Sequence, residues 1–219
     1  MEKHPVRGII FDMDNTLLRS SIDFGWMKRD IHAYLRERGL LPDNVKLDSE
    51  TSSTLIQLAL ETGDMTQLQE EEVWAIAGKH ELAGMEGAEL EPGVPAMLEE
   101  LRGKYLLVVL TNNSLSAARA ALDDNRISHC FDLIVGRENA GKLKPSPDGF
   151  QYIMNSYPQL DRRSWLSVGD AWIDCKASQD ACVRFIAYRA DLTKLRSAGL
   201  TPDGCIAHMG ELLNFIPCI

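Results

Sequence analysis

The chain has 219 residues, of which 45% are hydrophobic and 25% charged, and its 23 basic and 32 acidic residues give a formal net charge of -9. This length and composition fit one globular domain, or one domain with an insertion, and exclude a disordered or collagen-like chain. The acidic balance and the absence of a Lys/Arg-rich run argue against nucleic-acid binding through phosphates.

The apolar runs are too short for a membrane span or a secretory signal. The longest unbroken aliphatic run covers residues 106–110, whereas a transmembrane helix needs about 18 apolar residues. The first residues reach Asp12 after a few apolar positions, which is shorter than the core of a signal peptide. We therefore expect a cytoplasmic protein that binds neither membrane nor nucleic acid. The five cysteines contain no C-x-x-C pair and the histidines no H-x-x-x-H pair, so we expect free thiols and no metal bound by imidazole.

Five apolar runs of strand length alternate with helix-like stretches and predict a parallel sheet. The runs are nearly continuous, which is typical of strands covered by helices on both faces. They lie at residues 6–11, 105–110, 133–135, 165–168 and 185–188, with a weaker candidate at 205–207. The predicted fold class is α/β, a doubly wound parallel sheet, with a last helical stretch that ends near Phe215.

The interval between the first two strands is too long for a simple connection. Roughly ninety residues separate these strands, more than a βα connection requires. Apolar residues recur at helical spacing in 26–35, 55–59 and 73–77, and they predict an all-helical insert. Thr66 and Gln69 have the spacing of a capping box at the start of its last long helix. The predicted domains are an α/β core of residues 1–18 and 90–219 and a helical cap of residues 19–89.

Polar residues follow the predicted strands. Two carboxylates at positions i and i+2 after the first strand project to the same side and can share a site. Because doubly wound folds bind ligands at the carboxyl ends of their strands, we expect the polar strand ends to converge. The candidate set is Asp12, Asp14, Thr111, Asn112, Lys144, Asp170 and Asp174.

The charge of this set is unbalanced, since four carboxylates face one lysine. Two like charges about 4 Å apart cost on the order of 4 kcal/mol at an effective dielectric constant of 20. The cluster must therefore take up protons or a cation, and oxygen ligands favour a hard cation such as Mg2+. The bound metal then makes the site attractive to a phosphate, whose oxygens Thr111, Lys144 and backbone N–H groups can hold. The pattern indicates phosphoryl transfer.

The same residues resemble the four motifs of the haloacid dehalogenase superfamily of phosphohydrolases, in order. The motifs are Asp12-x-Asp14-x-Thr16, Thr111 after the strand LLVVL, Lys144-Pro145-x-Pro147, and Gly169-Asp170-x-x-x-Asp174. The helical insert stands where members with a C1 cap carry theirs, as in relatives of phosphoglycolate phosphatase and β-phosphoglucomutase. Cys182 departs from the pattern because relatives usually have Gly there. Lys142 also precedes motif III, and the Lys-Pro match alone favours Lys144.

The resemblance implies a role for each matched position. Asp12 is the nucleophile that takes the phosphoryl group, and Asp14 is the acid that protonates the leaving oxygen and then the base that activates water. Thr111, Asn112 and Lys144 are expected to bind the phosphoryl group. Mg2+ is expected on Asp12, the backbone carbonyl of Asp14, Asp170 and, directly or through water, Asp174. A helical cap implies a small phosphorylated metabolite as substrate.

Two alternatives stay open at this point. A phosphomutase of the β-phosphoglucomutase type uses the same motifs and differs in whether a sugar hydroxyl or water accepts the phosphoryl group. A non-catalytic module that only binds a phosphate ligand is disfavoured by the intact pair Asp12 and Asp14. The acid at position 14 also argues against a dehalogenase or phosphonatase. Trp172, between the two aspartates of motif IV, is expected to pack against its neighbours.

Overall fold

In the computed structural model, which describes residues 5–42 and 44–216, strands and helices alternate through most of the chain. The strands are β1 (Gly8–Phe11), β2 (Leu18–Arg19), β3 (Glu89–Leu90), β4 (Leu106–Leu110), β5 (Leu133–Val135), β6 (Trp165–Gly169), β7 (Arg184–Tyr188) and β8 (Gly204–Ile206). The α-helices are α1 (Phe24–Glu37), α2 (Ser52–Glu61), α3 (Gln67–Met85), α4 (Val94–Leu101), α5 (Leu115–Asp124), α6 (Asp148–Ser156), α7 (Trp172–Asp180) and α8 (Leu192–Ser197). A 3-10 segment, Met209–Phe215, replaces the predicted last helix.

Six of these strands form one parallel sheet in the order β5-β4-β1-β6-β7-β8. The central strand β1 is buried along its whole length, as expected for a strand covered on both faces. Phe11 at its carboxyl end is in register with Val109 of β4 and Val168 of β6. The predicted doubly wound α/β class is therefore confirmed, and the chain segments that follow β1, β4 and β6 leave the sheet side by side.

Apolar side chains from the sheet and from helix α6 form the core beside these strands. Ile10 and Leu110 pack in one cluster with Phe150 and Ile153 of α6 and with Trp165. Burying one such side chain contributes about 1.5–3 kcal/mol. Gly8 has a packing reason, because a Cβ atom there would lie 2.4 Å from the Trp165 ring. The core thus fixes the strands whose ends carry the polar residues.

The chain divides into two compact units, one comprising residues up to Ser20 and from Ala88 onward, the other Ser21–Gly87. The second unit is helical, as predicted, and α1 buries Met27, Ile31 and Leu35 at helical spacing. The predicted capping box opens α3, where the hydroxyl of Thr66 accepts the Gln69 N–H and the Gln69 side chain accepts the Thr66 N–H. None of the described helices combines the length and apolarity needed to cross a bilayer.

A short antiparallel pair, β2 with β3, escaped prediction from the sequence. Leu18 pairs with Leu90 and Arg19 with Glu89, and both strands belong to the α/β unit. The exposed ion pair between Arg19 and Glu89 contributes less than about 1 kcal/mol. Two-residue strands are too short to show hydrophobic periodicity, and their pairing joins positions that are seventy residues apart.

The helices α1, α5, α7 and α8 end in the same type of turn. In α7, the N–H of Cys182 donates to the carbonyl of Gln179, and the N–H of Val183 donates to that of Ser178, which is the Schellman motif. This motif needs one residue in the left-handed backbone region. It is Gly39 in α1, Arg126 in α5, Cys182 in α7 and Gly199 in α8, and the φ angles of these residues are 67, 57, 59 and 71°. A residue with a Cβ atom is strained at this position.

This comparison predicts that Cys182→Gly and Arg126→Gly each stabilise the protein by about 0.5–1 kcal/mol, because the relieved backbone strain exceeds the added flexibility of the unfolded chain. The reverse change, Gly199→Ala, should destabilise by about 1 kcal/mol, since space is open around its Cβ position and only the backbone is affected. Free energies of unfolding in urea measure these effects. Equal stabilities of the parent protein and all three variants would contradict the analysis.

Candidate active site

The polar residues that follow β1, β4 and β6 extend the hydrogen-bond pattern of the sheet. The N–H of Asp12 donates to the carbonyl of Val168 at 2.9 Å, and the N–H of Thr111 donates to that of Val135 at 3.0 Å. Asp170 comes directly after the last residue of β6. The sheet therefore holds the main chain of these residues at one edge.

Lys144 lies at the centre of the carboxylate cluster. Its buried ammonium group is 2.6 Å from Asp12 Oδ1, 2.7 Å from Asp174 Oδ1 and 2.8 Å from the carbonyl oxygen of Leu110. The contacts with Asp12 and Leu110 are hydrogen bonds, and the contact with Asp174 is an ion pair. A lysine has three N–H donors, so one of them is left for another acceptor. Lys142, the other lysine considered, is exposed, and its backbone N–H donates to Asp148. The structure thus brings Lys144 to Asp12.

The side chain of Asn112 holds the main chain of Lys144. Its amide nitrogen donates to the Lys144 carbonyl at 2.9 Å, and its amide oxygen accepts the Lys144 N–H at 3.0 Å. This paired contact fixes the starting point of the lysine side chain, and the peptide bond that follows, to Pro145, is cis. Sequence reasoning gave Asn112 a role in binding phosphate, and that role stays a prediction beside the observed one.

Asp174 lies in the first turn of α7, where the helix dipole favours a negative charge. Its Oδ2 accepts the N–H of Ala171 at 3.0 Å, while Oδ1 faces Lys144. Gly169 allows this close approach, because a Cβ atom there would lie 2.7 Å from the Asp174 Cβ. The glycine of the fourth motif therefore has a steric purpose.

Three of the predicted metal ligands come together. One carboxylate oxygen from each of Asp12, Asp170 and Asp174 lies within 4.8 Å of the others. A set of oxygen donors at this spacing fits a hard divalent cation such as Mg2+. The side chain of Asp14 is outside this trio, and metal binding through its backbone carbonyl stays a prediction.

The Asp14 carboxyl group instead has two hydrogen-bond donors of its own. The Asn113 side-chain nitrogen donates to Oδ2 at 2.8 Å, and the Ser20 hydroxyl donates to Oδ1 at 2.9 Å. Sequence reasoning missed both partners. Asn113 could have been suspected, because it directly follows Thr111 and Asn112, but Ser20 carries no sequence signal.

Burial and mutual repulsion shift the pKa values of the carboxyl groups upward. Burial raises the pKa of Asp12 to about 6, with Lys144 opposing and Asp174 adding to the shift. Burial and then the neighbouring Asp12 raise the pKa of Asp14 to about 7, and burial, Asp12 and Asp174 raise that of Asp170 to about 8. Burial acts to lower the pKa of Lys144, but the two adjacent carboxylates raise it above its usual value. The lysine alone does not neutralise this cluster.

The remaining predicted residues also have defined environments. Thr111 is buried, and its Oγ1 accepts the N–H of Asn113 at 3.1 Å, which leaves the hydroxyl hydrogen available as a donor. Trp172 packs against the cluster formed by Cys175, Phe185 and neighbouring residues. The predicted packing role of this tryptophan is confirmed.

Comparison with known proteins gives a consistent assignment. The family model of haloacid dehalogenase-like hydrolases matches residues 9–188. Phosphoglycolate phosphatase from Rhodobacter capsulatus is 26% identical over 215 residues, which cover 94% of this chain and 92% of that protein. The enzyme of the same name from Aquifex aeolicus is 28% identical over 216 residues, 96% of this chain and 97% of its own.

Solved structures agree at the level of the fold. The crystal structure of a predicted phosphoglycolate phosphatase from Haemophilus somnus superimposes with a TM-score of 0.68 at 21% identity, covering 98% of this chain and 99% of that one. The family match spans the strand before Asp12, the strand before Thr111, the Lys144 loop and the Asp170–Asp174 segment. This chain belongs to the haloacid dehalogenase-like hydrolases.

Proposed function

We propose that the protein is a Mg2+-dependent phosphatase that hydrolyses a small phosphomonoester through an aspartyl-phosphate on Asp12. The observation that carries this proposal is the pairing of Asp12 with the Lys144 ammonium at 2.6 Å, next to the oxygens of Asp170 and Asp174. An ionised carboxylate beside a fixed cation is poised to attack a phosphorus atom whose oxygens the same cation attracts. The four-carboxylate arrangement therefore supports phosphoryl transfer better than simple ligand binding.

In the first step, an oxygen of Asp12 forms a bond to phosphorus while the bond from phosphorus to the leaving oxygen breaks. Asp14, in its protonated form, gives its proton to that oxygen, and an alcohol leaves. In the second step, Asp14 takes a proton from water as the water oxygen bonds to phosphorus and the bond to Asp12 breaks. Inorganic phosphate leaves, and both aspartates return to their starting states.

The remaining residues hold the transferring group. Lys144 and the Thr111 hydroxyl would donate hydrogen bonds to its oxygens, and the contact predicted from Asn112 is proposed there as well. Asp12, Asp170 and Asp174, with the Asp14 carbonyl, would hold Mg2+. When bound, that ion offsets negative charge on the phosphoryl oxygens.

The substrate class is inferred from relatives and from the inserted unit. Relatives that match this chain along nearly their whole length are phosphoglycolate phosphatases, which makes small phosphorylated acids the first substrates to test. The helical unit, inserted between Ser20 and Ala88, is proposed to be the cap that selects the substrate and excludes water.

Phosphate release tests the proposal. The protein with Mg2+ should release phosphate from at least one member of a panel of phosphoglycolate, sugar phosphates, nucleotides and p-nitrophenyl phosphate, and a chelator should abolish the release. Asp12→Asn should lower turnover by at least about a thousandfold, because an amide cannot form the phosphoenzyme. Asp124→Asn, at an exposed aspartate of the same unit, is the matched control and should keep full activity.

Two outcomes would contradict this assignment. One is turnover by Asp12→Asn within about tenfold of the parent protein. The other is an inert parent protein on every ester of the panel, in which case isomerisation of β-glucose 1-phosphate would test the phosphomutase alternative.

The carboxyl pKa values predict how Mg2+ affects stability at different pH. The values of about 6, 7 and 8 for Asp12, Asp14 and Asp170 lie above the ordinary 3.8. Protonation of these three carboxyl groups therefore stabilises the folded protein fully below about pH 4, and this contribution is lost as the pH rises through about 6 to 8. Mg2+ replaces the lost protons as the balancing positive charge. The difference between the Tm with Mg2+ and the Tm with a chelator should therefore grow between about pH 5.5 and about pH 8.5. A pH-independent increase would contradict this prediction.

Asp170→Asn separates metal binding from the fold. At about pH 8.5 this change removes one charge from a crowded site, so it should raise the Tm of the metal-free protein and abolish most of the Mg2+ effect. Glu100→Gln removes the same charge from an exposed position and should leave the Mg2+ effect intact. Thermal unfolding with and without Mg2+ measures both. A lower metal-free Tm together with a normal Mg2+ effect would refute the role of Asp170.

A further inference from the structure

The carboxyl group of Asp14 is held at both oxygens by residues that the four motifs do not include. The Asn113 amide nitrogen lies 2.8 Å from Oδ2, and the Ser20 hydroxyl lies 2.9 Å from Oδ1. Asp14 and Asn113 are 9% and 5% exposed, so water replaces these contacts only in part if they are lost. The orientation of the carboxyl group is therefore set by protein groups.

Asn113 is itself held in place through its main chain. Its N–H donates to the Thr111 hydroxyl at 3.1 Å, and its carbonyl accepts the N–H of Arg137 at 2.9 Å. It lies three residues after the end of β4, the strand that pairs with β1. The side-chain amide thus reaches Asp14 from a backbone anchored on both sides.

The two donors differ in chemistry. An amide N–H group only donates, so Oδ2 of Asp14 has to accept, and the proton of the neutral acid is then on Oδ1. The Ser20 hydroxyl can donate or accept, so it suits both the ionised and the protonated carboxyl group. The pair therefore distinguishes two oxygens that are equivalent in a free carboxylate.

We propose that Asn113 is a positioning residue that fixes the Asp14 carboxyl group with Oδ1 as its proton-bearing oxygen, assisted by Ser20. The inference rests on the proposed function, in which Asp14 protonates the leaving oxygen. In that step the Oδ1–H bond breaks, the proton bonds to the leaving oxygen as its bond to phosphorus breaks, and the electron pair stays on Asp14. Asn113 does not contact the reacting atoms.

Dependence on the leaving group tests this role. A poor leaving group such as a primary alcohol needs the proton, whereas p-nitrophenolate leaves without it. Asn113→Ala should therefore lower kcat/KM about 10- to 100-fold for an alkyl phosphate and by less than about threefold for p-nitrophenyl phosphate. The ratio kcat/KM is the proper readout, because it covers the steps up to departure of the leaving group and omits the later hydrolysis.

Two further variants keep the test decisive. Asn113→Asp has the same shape but no N–H donor, so its kcat/KM for the alkyl ester should fall at least as much as that of Asn113→Ala. Ser20→Ala should lower kcat/KM by a smaller factor, again more for the alkyl ester than for p-nitrophenyl phosphate, since the hydroxyl is the assisting partner. The Mg2+-induced rise in Tm of Asn113→Ala and Ser20→Ala should match that of the parent protein, because neither change alters the number of carboxylates at the site.

The outcomes distinguish the failure of this inference from that of the proposed function. If the parent protein hydrolyses no ester, the proposed function fails. If Asp14→Asn lowers kcat/KM equally for both esters, the acid role of Asp14 fails. The third outcome is that Asp14→Asn lowers kcat/KM selectively for the alkyl ester, while the Asn113 variants lower kcat/KM equally for both esters or for neither. This outcome would overturn the positioning role of Asn113. Should Asn113→Ala not fold, Asn113→Asp and Ser20→Ala decide by the same comparison.

Discussion

The contact of one buried ammonium group with two carboxylates is the interaction on which the rest of the site depends. The Lys144 ammonium is 2.6 Å from Asp12 and 2.7 Å from Asp174. Asp12 follows strand β1, whereas Asp174 lies in the helix that follows strand β6. Buried charges are stable only when paired and hydrogen-bonded. The sheet order, the Asn112 contact with the Lys144 backbone and the absence of a side chain at Gly169 all serve to bring these groups together.

The site leaves its charges only partly compensated, in contrast to a second buried carboxylate of the same unit. Glu91, 4% exposed, accepts hydrogen bonds from the Tyr188 hydroxyl at 2.6 Å and from Arg189 at 3.3 Å. Asp170, by comparison, faces the carboxylates of Asp12 and Asp174, and burial and then these two charges raise its pKa to about 8. A fold that pairs one buried acid and crowds the others fits the proposed binding of a cation by the crowded carboxylates.

Much of the fold and the convergence of the candidate site residues were predictable because their signals are local. The apolar runs before Asp12 and Thr111 mark strands, and the polar residues after them mark the ligand-binding edge. Contacts between distant side chains carry no such signal. Asn113 reaches Asp14 across 99 positions, and the Asn112 side chain holds Lys144 where a contact with phosphate was expected. The left-handed turn at Cys182 was not predicted, because a cysteine by itself does not indicate this conformation. The glycine that relatives usually have at this position was the signal that could have revealed it.

The account makes one central chemical claim, that Asp12 carries the phosphoryl group during turnover. Acid quenching of the reaction, followed by proteolysis and mass spectrometry of the peptide that contains Asp12, measures this directly. The expected result is one phosphoryl group on Asp12 that hydroxylamine removes, as it does from an acyl phosphate, and that disappears once the substrate is exhausted. Sustained turnover with no phosphorylated peptide, or with the phosphoryl group on another residue, would contradict the account.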